Sequence, residues 1–131
     1  MRDELKDEVL QLSLKDKESL YVELGKVIRE EKIHGVRQYE SMCQRVIDVV
    51  LQVMGLPAYN ASSHVRKHVI SRVIIANAIM QNGATESKVG RTIGKDHSTI
   101  NHYKVMLEEW LTFPKYYPEE VAIWEQVNNL I

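Results

Sequence analysis

Apolar residues recur at every third or fourth position along most of the chain, the spacing that turns one side of an α-helix toward a core. Leu5, Val9 and Leu12 set this spacing near the start, and Leu20, Leu24, Val27 and Ile28 continue it. Met42, Val46, Ile47, Val49, Val50, Leu51 and Val53 form a stretch that is apolar nearly all round. Val69, Ile70, Val73, Ile74, Ile75, Ala76, Ile79 and Met80 form another, and Val121, Trp124, Val127 and Leu130 repeat every three residues near the end. No segment shows the sustained alternation of a half-buried strand. The expected class is all-α, a compact helical bundle.

Polar punctuation divides this pattern into elements. Residues 2–12 carry four acidic side chains early, where a helix dipole favours them. Ser13 followed by Asp16 starts a second helix, which runs to about Ile33 and stops at Gly35. A third helix is predicted from about Val36 to Met54, central to the core and ended by Gly55, before a loop through Pro57. Ser62 and Ser63 are the expected caps of the next helix, which ends at Asn82-Gly83. After Trp110, Pro118 suits the first turn of a last helix, with Glu119 and Glu120 beside it. The expected division is 1–35 for N-terminal amphipathic helices, 36–112 for the main domain and 113–131 for a C-terminal helix packing on the body.

The stretch from Gly83 to Trp110 reads as two helices joined by a tight turn. Thr85 caps a short helix from Glu86 to Ile93, Gly94 supplies the turn, and Asp96 caps a second helix. That second helix buries Ile100, Tyr103, Leu107 and Trp110, which leaves His97, Ser98, Asn101, His102 and Lys104 on other faces. This is helix-turn-helix grammar.

Charge changes the picture when it is resolved along the chain. The net charge of the 131 residues is −1, yet residues 60–106 hold seven Lys or Arg against two acidic residues. Residues 1–59 and 107–131 are both net acidic, so the near-neutral total conceals a basic middle. A phosphate backbone is attracted to that middle alone. Cys43 is the one cysteine, so no internal disulfide can form and a reducing, cytoplasmic compartment is expected. The charged first residues and the lack of an apolar run of about 20 residues point to neither a signal peptide nor a membrane partner.

Enzymatic and metal chemistry find little support. His64 and His68 have the spacing of a metal-binding pair but no third ligand, and Asp96, His97 and Ser98 are neighbours on one turn, which do not face one another as a catalytic triad must. No cofactor and no catalytic residue are expected.

The string Gly90-Arg91-Thr92-Ile93-Gly94-Lys95-Asp96-His97-Ser98-Thr99-Ile100-Asn101-His102 resembles the signature I-G-x-x-F-G-G-R-D-H-T-T-V-x-x-H of the C-terminal duplex-DNA-binding domain of the bacterial replication initiator DnaA. Arg66, Val69, Ile70 and Arg72 are placed like that domain's upstream basic helix, and the resemblance covers roughly residues 40–108. It implies a Trp-repressor-like helix-turn-helix fold and sequence-specific binding to double-stranded DNA. By side-chain chemistry His97, Ser98 and Thr99 are candidate contacts to base or phosphate, Asp96 is mainly the cap with a second oxygen able to accept from a cytosine amino group in the major groove, and the resemblance makes His102 a further contact. By their charge Lys88, Arg91, Lys95 and Lys104 are candidate phosphate ligands and Arg72 a further candidate DNA-binding residue, and the resemblance implies that Arg66 and Lys67 form a basic arm in the adjacent minor groove. Three departures stand out. One glycine of the family's pair is missing, Lys95 replaces an arginine, and no nucleotide-binding G-x-x-x-x-G-K-S/T is present. The implied protein is a nucleoid-associated, replication- or transcription-linked accessory, of the kind a phage or mobile element encodes. The competing expectation is a protein-interaction module, or a homodimer, working through the N-terminal helices.

Overall fold

The computed structural model describes residues 14–131, and the helix predicted over 2–12 lies outside the described residues. Five α-helices make up the described chain: α1 (Leu14–Met54), α2 (Arg66–Gln81), α3 (Glu86–Ile93), α4 (His97–Thr112) and α5 (Pro118–Leu130). Among the described residues there is no strand, and no helix is long and apolar enough to cross a membrane. The all-α expectation holds. The chain divides into two compact units, Met1–Tyr39 and Glu40–Ile131.

In the first unit the predicted stop at Gly35 is absent, because α1 runs through it. Glycine ends a helix by adopting a left-handed conformation, and Gly35 does not adopt it, whereas Gly55, with φ of 67°, does and terminates α1. A glycine inside a helix costs only about 1 kcal/mol relative to alanine. Gln38 and His34, one turn apart across the glycine, are joined by a side-chain hydrogen bond of 2.9 Å. Ile33 and Val36, at 52% and 56% exposure, remain open to solvent.

In the second unit α2 is the central element. Every residue from Ile70 to Ala76 is buried, and the helix packs on α4 most extensively and also on α3 and α5. The part of α1 expected to be central buries only one side, through Cys43, Val46 and Val50, while Gln44, Arg45, Asp48 and Gln52 face solvent. The helical spacing of its polar residues outweighs its apolar content. Val89 and Ile93 of α3, Ile100, Tyr103, Leu107 and Trp110 of α4, and Val127 of α5 complete the core. The four buried residues of α4 are the predicted ones.

The entrance to α2 differs from expectation. The cap residue is Val65, which offers no side-chain acceptor. Asn60 takes the polar role instead, its Oδ1 accepting from the backbone N–H of Ser62 at 3.0 Å and of Ser63 at 2.8 Å, and Ser63 Oγ accepts from Val65 N at 3.1 Å. The serines thus shape the loop before the helix rather than its first turn. Asparagine forms such local turns readily.

Two glycines separate the roles this residue plays. A Cβ on Gly90 would lie 2.5 Å from the backbone oxygen of Lys95, whereas one on Gly35 would meet nothing within 4 Å. Gly90→Ala is expected to destabilise the fold by about 1–3 kcal/mol, the usual cost of overpacking against backbone. Gly35→Ala is expected to raise the stability of α1 by about 0.5–1 kcal/mol. Urea melts followed by circular dichroism, with the two variants side by side, check both signs.

Candidate functional site

The helix pair α3 and α4 is built from local chemistry. Thr85 Oγ1 accepts from Lys88 N at 3.3 Å and starts α3. At its other end Gly94, with φ of 76°, turns the chain, and the N–H groups of Gly94 and Lys95 both donate to the Gly90 carbonyl at 2.9 Å. Asp96 then starts α4. Its Oδ1 accepts from Thr99 N at 2.8 Å and from Ser98 Oγ at 3.0 Å, which satisfies an N–H the helix itself leaves open. These bonds, those from Thr99 first, hold the Asp96 carboxyl below its usual range.

Neighbouring elements brace the turn. Tyr59 Oη donates to the Ile93 carbonyl at 2.6 Å, and the Ala61 methyl lies 4.0 Å from where a Gly94 Cβ would stand. Burial pushes the Tyr59 phenol up to about 12, with Arg72 opposing the shift and Tyr103 adding to it. Arg72 ties the same loop to the helices: its Nη1 donates to the Asn60 carbonyl at 2.8 Å, its Nη2 to the Ser63 carbonyl at 2.7 Å and its Nε to Tyr103 Oη at 3.1 Å.

Three side chains from two helices meet at the start of the pair. Glu86, the first residue of α3, places Oε2 2.9 Å from His97 Nε2 and Oε1 2.9 Å from Lys104 Nζ. The Lys104 hydrogen bond holds the Glu86 carboxyl below its usual range, and the Lys104 ammonium is raised in return.

The predicted site residues fall into three groups. Lys88, Arg91, Lys95, Asp96, His97, Ser98, Thr99, His102 and Lys104 come together on α3, the turn and the first half of α4. Lys88, Arg91, Asp96, His97, Ser98 and His102 are exposed, and Lys95, Thr99 and Lys104 are half-buried. Arg66 and Lys67 form the first turn of α2, not an extended arm. Arg66 pairs with the buried carboxylate of Glu120, and Lys67 lines a cleft with Glu119 and Ala122 of α5. Arg72 is a correction: at 4% exposure, with Nε, Nη1 and Nη2 all donating internally, it is a strut of the fold and not a DNA ligand. The apolar helix around it carries it inward, and carbonyls supply the partners that a buried charge requires.

Sequence reasoning missed Glu86, Tyr59, Asn60 and Glu120. Their partners are Lys104 and His97, Ile93, Arg72, and Arg66, all far away along the chain except within the Asn60 loop, so no spacing rule reveals them. A partial signal existed for Glu120, because a buried carboxylate needs a cation and the only net-basic part of the chain had several.

His64 lies outside α2 and is exposed, and the Nδ1 of His68 is buried without a hydrogen-bond partner. Among the described residues no group of three or more metal-binding side chains is arranged to hold an ion. Comparison with known proteins gives no match, whether to family models, curated proteins or solved structures.

Two measurements check this anatomy. Arg72→Ala is expected to destabilise the fold by about 2–4 kcal/mol, because two carbonyls and a phenol lose a buried donor, while Arg91→Ala changes stability by less than about 0.5 kcal/mol. Denaturant melts of both variants decide it. For Tyr59, the folded chain holds the phenolic proton above the ordinary tyrosine range. Its contribution is therefore complete below about pH 10 and lost as pH rises toward 12. Ultraviolet titration of the native chain is expected to show a late-titrating tyrosine that Tyr59→Phe removes.

Proposed function

We propose that this chain binds double-stranded DNA through a helix-turn-helix formed by α3 and α4, with the first half of α4 entering the major groove. The observation that carries the reading is the arrangement at the start of α4. His97, Ser98, Asn101 and His102 are exposed there, next to Arg91 and Lys95, while the solvent side of the helix turns acidic only later, at Glu108 and Glu109. Recognition helices contact base edges with their N-terminal residues, so acidic residues in the second half are tolerable where acidic residues in the first half are not.

Side-chain chemistry assigns the roles. Thr99 offers a methyl suited to thymine, and His97 and His102 offer ring nitrogens to base edges. Asp96 is mainly the cap, since its Oδ1 accepts from both Thr99 N and Ser98 Oγ. Lys88, Arg91 and Lys95 are the phosphate ligands, which set register without reading sequence. The DnaA-like string supports a role linked to replication initiation or its regulation, in the nucleoid. A second reading, interaction with another protein through α1, draws on the exposure of Ile33 and Val36.

Salt dependence of duplex affinity separates the two. With roughly three to four phosphates neutralised, log affinity is expected to fall against log salt with a slope of about −3 to −4. Lys95→Ala should weaken all duplexes alike, and Thr99→Ala should relax selectivity by about 1–3 kcal/mol. Absence of binding to any duplex at low salt sinks the proposal and leaves protein interaction as the reading to pursue.

A further inference from the structure

We infer that Glu86 is the positioning residue of this DNA-binding surface, which fixes His97 for base reading and withholds Lys104 from phosphate. The inference rests on the DNA-binding reading for its consequences and on geometry for its cause.

One carboxylate, with its side chain 22% exposed, spends one oxygen on each partner at 2.9 Å. Toward His97 it is an ion-pair partner, with Oε2 2.9 Å from Nε2, which holds the Nε2 side of the ring against α3 and leaves the Nδ1 edge for a groove. An exposed imidazole without such a partner rotates and presents either nitrogen. His97 is otherwise open, with 66% of its side chain exposed, so the pairing with Glu86 is what selects its orientation. Glu86 of α3 is the charged group in contact with the ring, Lys104 lies two turns further along α4 on the same carboxylate, and Lys95 and Asp96 precede His97 in the turn. Asp96 is already taken up by Ser98 and Thr99.

Toward Lys104 the effect is the opposite of recruitment. Its ammonium stands within reach of the candidate surface but is neutralised by a carboxylate on the neighbouring helix. A phosphate approaching it meets a pair of near-zero net charge. Glu86 thus lowers sequence-independent attraction and raises the share of binding that depends on His97. Placing an acid where it opposes non-specific binding is a device of specificity.

Three results test this, each on the full chain. Nuclear Overhauser spectra of the free protein should place the His97 ring protons against the Glu86 side chain, and the absence of any such contact overturns the inference whatever the chain binds. Next, affinities are measured for a labelled duplex recovered by selection and for a random-sequence duplex pool of the same length. Glu86→Gln should bind the pool about threefold or more tighter, as an anion leaves the surface and Lys104 is released. It should also lose roughly tenfold in the ratio of selected to random affinity, the size of one base contact. Adding Lys104→Ala should return pool affinity to the native value. Equal weakening on both duplexes, which is what a purely structural role produces, or an unchanged ratio, overturns the inference.

Lys104→Ala alone keeps the test decisive if Glu86→Gln does not fold. It leaves the Glu86 carboxylate without its ammonium partner, so pool affinity should fall about threefold, the mirror of the gain in Glu86→Gln, and either an unchanged pool affinity or a loss larger than that of Arg91→Ala overturns the withholding role. If the native chain binds neither duplex, the DNA-binding reading fails first and the inference with it. That outcome is distinct, because it is seen before any variant is made.

Discussion

The guanidinium of Arg72 is the interaction on which the rest of the second unit depends. It lies among apolar residues of α2 with no carboxylate partner, and it is accommodated by two loop carbonyls and the Tyr103 hydroxyl. A buried charge without such acceptors costs several kcal/mol, so the loop between α1 and α2 has to stay where its carbonyls reach the guanidinium. That requirement propagates. The loop held by Arg72 contains Asn60, next to Tyr59, whose hydroxyl supports the last carbonyl of α3, and Ala61, which packs beside Gly94. Tyr103 brings α4 into the same arrangement, and Asn77 adds a second tie between α2 and α4 by donating to the Tyr103 carbonyl at 3.1 Å. The turn between α3 and α4 is therefore backed by a loop, and the loop is fixed by one side chain.

The helix pair is closed at both ends by different chemistry. At the turn, Gly90 lets backbone approach backbone, and its carbonyl receives two N–H groups. At the open end, Glu86 joins the start of α3 to the first and third turns of α4 through His97 and Lys104. The first contact is steric and insensitive to salt. The second is electrostatic and partly exposed, so it is weaker and can respond to whatever binds nearby.

What the sequence made legible was whatever is decided within a few residues. Thr85, Gly94 and Asp96 cap and turn through contacts three or four residues away, and α3 and α4 begin and end where those residues place them. Ile100, Tyr103, Leu107 and Trp110 declare a buried face by spacing alone. What was illegible depended on distant partners. Arg72 belongs to a basic segment by composition, and only the packing of α2 shows that it is internal. Gly35 has the composition of a stop, but stopping is a matter of φ and of the contacts that follow, which α1 does not provide. Glu86 reads in sequence as an acid favourable at a helix start, and its link to Lys104 exists only once two helices are packed.

This partition changes how the basic middle of the chain is to be understood. Arg66 is paired with Glu120, Arg72 with the loop and Lys104 with Glu86, so a good part of the local positive charge is balanced within the fold, although only Arg72 is withdrawn from solvent. The two acids involved lie on different elements, Glu120 in α5 and Glu86 in α3, and each pairs with a cation expected from sequence to face DNA, Arg66 in the minor groove and Lys104 at a phosphate. Lys88, Arg91 and Lys95 are concentrated on α3 and the turn, flanking the exposed start of α4. Under the proposed DNA-binding role, a surface so arranged would attract a polyanion over a small area and not along a broad stripe, and with few phosphate contacts a preference among duplexes would have to come from how rigidly His97, Ser98 and Thr99 are presented. The rigidity of that presentation leads back through Asp96, Gly90 and Tyr59 to the buried arginine.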